Sequence, residues 1–132
     1  MKSRNFTLAE IAHRPLPASL QDVGLVAMGY MQAIRDLGSA RFGKDVPLKI
    51  MSGYRELAYN RSIESPDSSY HIWRTRSNDS PLWAVDFIPQ GVSVAAYFDW
   101  LKDITRGERY RHSKHGFIHL APFAPDKTPW VQ

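Results

Sequence analysis

Apolar and polar positions recur along this chain in two periods, and each switch between them marks an element. Thr7-Leu8-Ala9-Glu10 has the form of a capping box, and Pro15 and Pro17 end the short helix it opens. Ser19-Leu20-Gln21-Asp22 opens a second helix. Its apolar positions Val23, Val26, Ala27, Tyr30, Ile34 and Leu37 follow helical spacing, with Gly38 or Gly43 near its end. Pro47 to Met51 reads as a short strand closed by Ser52-Gly53, and a short helix over Arg55 to Ile63 stops before Pro66. Val94, Tyr97, Phe98, Leu101 and Ile104 form the stripe of a helix from Ser93 to Thr105.

The period of two appears further along. Gly116 to Ala121 reads as a strand with Phe117, His119 and Ala121 on one face and Ile118 and Leu120 on the other. Ile72 to Arg76 and Leu82 to Ile88 read as two strands around the turn residues Ser77-Asn78-Asp79-Ser80-Pro81. A two-residue Asn78-Asp79 loop would set His71 directly opposite Asp86, with Cβ atoms about 4.5–5.5 Å apart. On the second strand Ala84, Asp86 and Ile88 face away from Val85 and Phe87. The pattern predicts an α+β fold, a small antiparallel sheet flanked by helices.

Composition narrows the class. The chain has 132 residues, and neither a linker nor a repeat divides it, so residues 1–132 are expected to form one domain. Hydrophobic residues at 43% and aromatics at 12% exclude a disordered chain. The lack of cysteine excludes disulfide frameworks, thiolate zinc ribbons and cysteine nucleophiles. The longest apolar run, Val23 to Met31, is broken by glycines and too short to span a membrane. Met1 to Phe6 lacks the apolar stretch of a secretion signal, so a soluble protein without a secretory address is expected. The net charge of +4 favours anionic partners: nucleic acid, acidic cell-wall polymers or lipid surfaces. The densest basic stretch, Lys102 to Lys114, reads as a solvated face rather than a nucleic-acid groove, since no binding signature accompanies it.

His71, Asp86 and His119 emerge on strand or strand-edge positions facing one side. Two imidazoles and a carboxylate suit a zinc site with a fourth position open to water. Such an ion polarises a carbonyl and lowers its water's pKa to about 7. Singly, a strand histidine is more often a satisfied structural residue.

Several ordered motifs add to this reading. Ser52-Gly53-Tyr54-Arg55, Tyr59-Asn60-Arg61, Ser69-Tyr70-His71, Ala84-Val85-Asp86 and Phe117-Ile118-His119 together resemble the zinc D-Ala-D-Ala carboxypeptidase and murein endopeptidase family. That family belongs to the lysostaphin/D-Ala-D-Ala/hedgehog metallopeptidase group. Phe6 to Glu10 and Ala33 to Leu37 are similar to its first third, so the likeness spans nearly the whole chain. The resemblance implies a hedgehog/D-Ala-D-Ala-peptidase-like fold and Zn2+ held by His71, Asp86 and His119. It also implies a substrate side formed by Arg55, Ser69 and Tyr54, with Arg55 binding a carboxylate or carbonyl of the peptide. Without the resemblance, Arg55 reads as a scaffold salt bridge and Ser69 as part of a local turn with Asp67 and Ser68.

Three positions depart from the pattern. Asp86 comes fifteen residues after His71, further than in relatives, and Leu82 occupies the place of their glycine. Relatives often carry an acidic general base three residues before the last histidine, where this chain has Gly116, although a murein endopeptidase-like branch shares that feature. Relatives also continue His-x-Asp, with the aspartate orienting the site, whereas this chain has Ala121. His115 and His112 are therefore candidate acid–base groups, with Glu108 a third that has only nearness in sequence behind it.

The expected function is that of a zinc peptidase hydrolysing peptidoglycan stem peptides or cross-links. It would reach the wall after release, as a phage lysin or virion-associated hydrolase. The alternative is a catalytically impaired member of the same fold that serves as a phage virion structural or binding protein among other virion proteins. A nucleic-acid-binding domain rests on charge alone.

Overall fold

The computed structural model describes residues 2–132. Its first helix, α1 (Leu8–Ala12), starts where the Thr7 hydroxyl accepts the Glu10 N–H and the Glu10 carboxylate accepts the Thr7 N–H. It ends at His13, in the left-handed region. A 3-10 turn over Ala18–Leu20 leads into α2 (Gln21–Phe42), which runs through Gly38 and stops at Gly43, whose φ of 69° suits a residue without Cβ.

Then follow β1 (Leu48–Ser52), α3 (Leu57–Ser62), β2 (Arg74–Thr75), β3 (Pro81–Leu82) and β4 (Val85–Pro89). The last elements are α4 (Val94–Ile104), β5 (Glu108–His112), β6 (Phe117–Ala121) and β7 (Trp130–Val131). Ser93 caps α4 by accepting the Ala96 N–H. The α+β architecture expected from the sequence is present. Five strands form the main sheet in the order β1-β4-β6-β5-β7, antiparallel except where β5 meets β7. Among the described residues no helix is long and apolar enough to cross a membrane.

Alternation along the central strands divides the sheet into two unlike faces. Val85 pairs with Leu120 and Phe87 with Ile118, and all four side chains are fully buried. They join Ala27, Met31 and Ile34 of α2 and Tyr97 and Leu101 of α4 in one core. Burying each large apolar side chain contributes about 1.5–3 kcal/mol. The reverse face carries Asp86 and His119, paired directly across the β4–β6 ladder.

The middle of the chain differs from the expected long hairpin. Only Arg74–Leu82 and Thr75–Pro81 pair, forming a separate two-stranded ribbon, and the turn between them spans residues 76–80. The Asn78 side chain accepts the Ser80 N–H, and Asp79 adopts a φ of 63°. This side-chain-to-backbone turn displaces the two-residue loop. At Trp83 and Ala84 the chain leaves the ribbon and enters the main sheet as β4, so His71 is not strand-paired with Asp86.

The Lys102–Lys114 stretch is a solvated face only in part: Arg106 and Lys114 are exposed, but Arg109 is not. The stretch contains the end of α4 and the inner strand β5, with Arg109 buried. Arg109 Nη1 donates to the Lys102 carbonyl at 2.8 Å and to the Thr105 carbonyl, capping the end of α4. Its Nη2 donates to the Lys127 carbonyl at 2.8 Å and to Asp126 Oδ1 at 3.1 Å. The 122–129 loop is thereby strapped beside β5.

After β1 the chain passes directly over the end of α1, and the Tyr54 N–H donates to the Ala12 carbonyl at 2.8 Å. A Cβ on Gly53 would lie 2.1 Å from the Ile11 carbonyl oxygen, so only glycine fits this crossing. Gly53→Ala is expected to destabilise the fold by about 1–3 kcal/mol through overpacking, read as a lower urea midpoint.

Candidate metal centre

Three segments converge on the polar face of the sheet. Asp86 from β4 and His119 from β6 arrive as a cross-strand pair, and His71 arrives from the turn before β2. Backbone bonds hold that turn in place. The Arg55 N–H donates to the His71 carbonyl at 2.7 Å, and the Trp73 indole N–H donates to the Ala84 carbonyl at 3.1 Å. The Ser69 hydroxyl accepts the His71 N–H at 3.3 Å.

His71 Nδ1 lies 2.8 Å from the Gly53 carbonyl oxygen and must be the protonated nitrogen, because a carbonyl only accepts. Nε2 of the neutral ring then aims a lone pair toward Asp86 Oδ1 at 3.2 Å, and this buried nitrogen has no hydrogen-bond partner. Two lone pairs facing each other in a dry site call for a cation between them. Asp86 Oδ1 also lies 2.8 Å from His119 Nδ1. Each of the three residues offers a ligand atom, and these atoms all lie within 4.8 Å of one another. A tetrahedral ion with bonds near 2.0–2.1 Å keeps its ligand atoms roughly 3.3 Å apart, so the donor set fits a zinc-sized cation.

The side chains of His71, Asp86 and His119 are 4%, 8% and 4% exposed, and their charges depend on one another. Burial alone would raise the Asp86 pKa, but the two imidazoles beside it outweigh that penalty and hold the carboxyl well below the usual range. Burial alone would lower the His119 pKa, but hydrogen bonds to Asp86 and Glu108 raise it. Hydrogen bonding to His119, more than any other contact, keeps the Glu108 carboxylate ionised.

A cavity of about 360 Å³ opens beside these groups, lined by Arg55, Ser69, His71, Glu108, Tyr110, His119 and Lys127 among others. Arg55 lies 4.0 Å from Asp86 Oδ2, and its Nη1 donates to Asn60 Oδ1 at 3.5 Å. Tyr54 is buried edge-on to Trp73 and does not line the cavity, so the structure places it in the core rather than on a substrate surface. His112 and His115 do not line the cavity either. Their rings face each other at 4.6 Å at the far end of the β5–β6 hairpin, and His112 stacks on Phe117. A larger apolar groove of about 570 Å³ between α2 and α4 contains no histidine or carboxylate.

Glu108 does reach the site. Its Oε1 lies 2.8 Å from His119 Nε2, and its Oε2 accepts from Lys127 Nζ at 3.2 Å. Sequence reasoning missed Tyr110 and Lys127. Tyr110 stacks on the His119 ring at 4.5 Å with planes 10° apart. The alternation of Glu108, Tyr110 and His112 along one face of β5 was the available signal, masked by the charges between them.

Asn60 links the cavity walls. It is fully buried, and its Nδ2 donates to the Ser65 and Pro66 carbonyls at 3.2 and 2.8 Å while its Oδ1 faces Arg55. Asn60→Ala would strand these groups and is expected to cost about 1–3 kcal/mol, measured by urea unfolding.

A family model described as Peptidase M15 matches residues 4–121. No curated protein and no solved structure matches the chain.

Proposed function

The chain belongs to the peptidase M15 family of metallopeptidases, and from that premise we propose that it is a zinc-dependent peptidase acting on peptidoglycan stem peptides or their cross-links. The observation that carries this reading is the convergence of His71 Nε2, Asp86 Oδ1 and His119 Nδ1 beside an open cavity. These three atoms would hold the ion and leave a position for water or substrate. When bound, zinc polarises a carbonyl oxygen and lowers the pKa of its water to about 7, which supplies a nucleophile at neutral pH.

The chain's own groups do the rest. Arg55 presents a planar fork to a substrate carboxylate or carbonyl and is steered by Asn60. Burial, with the negative charges of Asp86 and Glu108, pushes the Tyr110 phenol up to about 12. Tyr110 therefore keeps its proton at neutral pH and offers an O–H to an oxygen that gains charge as the amide is attacked. Ser69 keeps His71 in place through the turn they share.

A stem-peptide substrate is supported by the motif resemblance, by Arg55 and Lys127 on the cavity wall, and by the net charge of +4. Delivery to the wall as a phage lysin or virion-associated hydrolase belongs to the same proposal.

Zinc at 100 times its Kd should stabilise the protein by about 2.7 kcal/mol in thermal or urea unfolding. Asp86→Ala should abolish that effect. Digestion of purified murein should release D-alanine if the enzyme is a carboxypeptidase, or cross-link fragments if it is an endopeptidase, as read by mass spectrometry. Zinc binding without any murein product would favour the structural or binding role instead. Arg55→Lys, which keeps the charge but loses the fork, should lower kcat/KM by about 10- to 100-fold while leaving zinc binding unchanged.

A further inference from the structure

We propose that Glu108 is a positioning residue of the metal centre, reaching across from β5 to hold the His119 imidazole in the tautomer that turns the Nδ1 lone pair toward the ion. The inference rests on the metal reading above and adds a residue to it.

A neutral imidazole carries one N–H, so the partners of its two nitrogens decide which one can bind a metal. His119 Nδ1 lies 2.8 Å from Asp86 Oδ1, among the clustered ligand atoms. Nε2 lies 2.8 Å from Glu108 Oε1. An ionised carboxylate only accepts, so without an ion both nitrogens carry hydrogen, Nδ1 toward Asp86 and Nε2 toward Glu108. An ion held at the cluster would take the place of the Nδ1 hydrogen, while Glu108 keeps the one on Nε2 and leaves the Nδ1 lone pair facing inward. Carboxylate–histidine–metal arrangements of this kind fix ring orientation and raise ligand basicity.

The strand register makes the contact. Tyr110 pairs with His119 and Glu108 pairs with Ala121, so Glu108 stands on the same face, diagonal to His119. From its place opposite Ala121, the longer glutamate leans back along the ladder to His119. Tyr110 covers the face of the His119 ring while Glu108 engages its edge, so the ring is restrained in two directions.

Glu108 itself is braced, because Lys127 Nζ lies 3.2 Å from Oε2. Arg109 in turn holds the Lys127 carbonyl at 2.8 Å. With one oxygen on His119 and the other on Lys127, the carboxylate is engaged at both ends. That arrangement suits orientation better than proton transfer.

The test compares zinc affinity of the wild type, Glu108→Gln and Glu108→Ala by competition with a chromophoric chelator. Urea midpoints of the metal-free proteins report whether each variant folds. Long-range 1H–15N NMR of the zinc-loaded wild type reports the His119 tautomer. The expected result is an Nε2–H tautomer and an affinity loss of about 10- to 100-fold in Glu108→Ala. Glu108→Gln should lose less, because its amide oxygen still accepts from Nε2. A smaller loss in a folded alanine variant, or a His119 proton found on Nδ1, overturns the proposal. A wild type that binds no zinc overturns the metal reading together with it, so the two failures are told apart.

Discussion

Asp86 Oδ1 lies 2.8 Å from His119 Nδ1 and 3.2 Å from His71 Nε2, and the surrounding fold is arranged to keep a carboxylate in that dry position. Burying an ion costs several kcal/mol unless partners are already in place. Here the partners arrive by two different routes. His119 is delivered by the sheet itself, as the direct cross-strand neighbour of Asp86, and the apolar residues flanking both anchor that pairing in the core. His71 is delivered by a turn with no strand pairing of its own, tied through its carbonyl to Arg55 and through Nδ1 to Gly53. The glycine in Ser52-Gly53-Tyr54-Arg55 thus has a physical task. It lets the backbone lie against α1 closely enough that its carbonyl meets the imidazole.

What the sequence made legible was what local chemistry decides. Thr7 with Glu10, Ser93 with the Ala96 N–H, and Gly43 at the end of α2 are signals that act within a few residues, and the helices they bound were expected. The strand period of two also set Asp86 and His119 on polar faces. The convergence of His71 with Asp86 was expected, but by the wrong path, because the Asn78 side chain bonds the Ser80 N–H and shortens the hairpin to a ribbon. β5 was hidden for a different reason. Charged side chains crowd its sequence, and the burial of Arg109 depends on carbonyls from α4 and from the 122–129 loop that no local pattern announces.

Glu108 shows the same limit at the site. Ala121 reads as a missing orienting carboxylate when only its own strand is considered. Across the ladder, the residue paired with Ala121 is an acid. Its neighbour Tyr110 completes a row of rings running from His119 through Tyr110 and Phe117 to His112 and His115. This row makes the outer half of the hairpin an aromatic support, with its terminal histidines outside the cavity.

The ribbon of β2 and β3 lies outside the five-stranded sheet, between the segment that supplies His71 and the strand that supplies Asp86. The Trp73–Ala84 bond clips its two ends to each other, and the Gly53–His71 bond holds the segment that leads into it. Its tip reaches the rest of the molecule through Arg76 and the Phe123 carbonyl. The exposed residues 77–79 of the tip are thus separated from the bonds that place His71 and Asp86, so the distance along the chain between these two ligands is set by an excursion that takes no part in holding them.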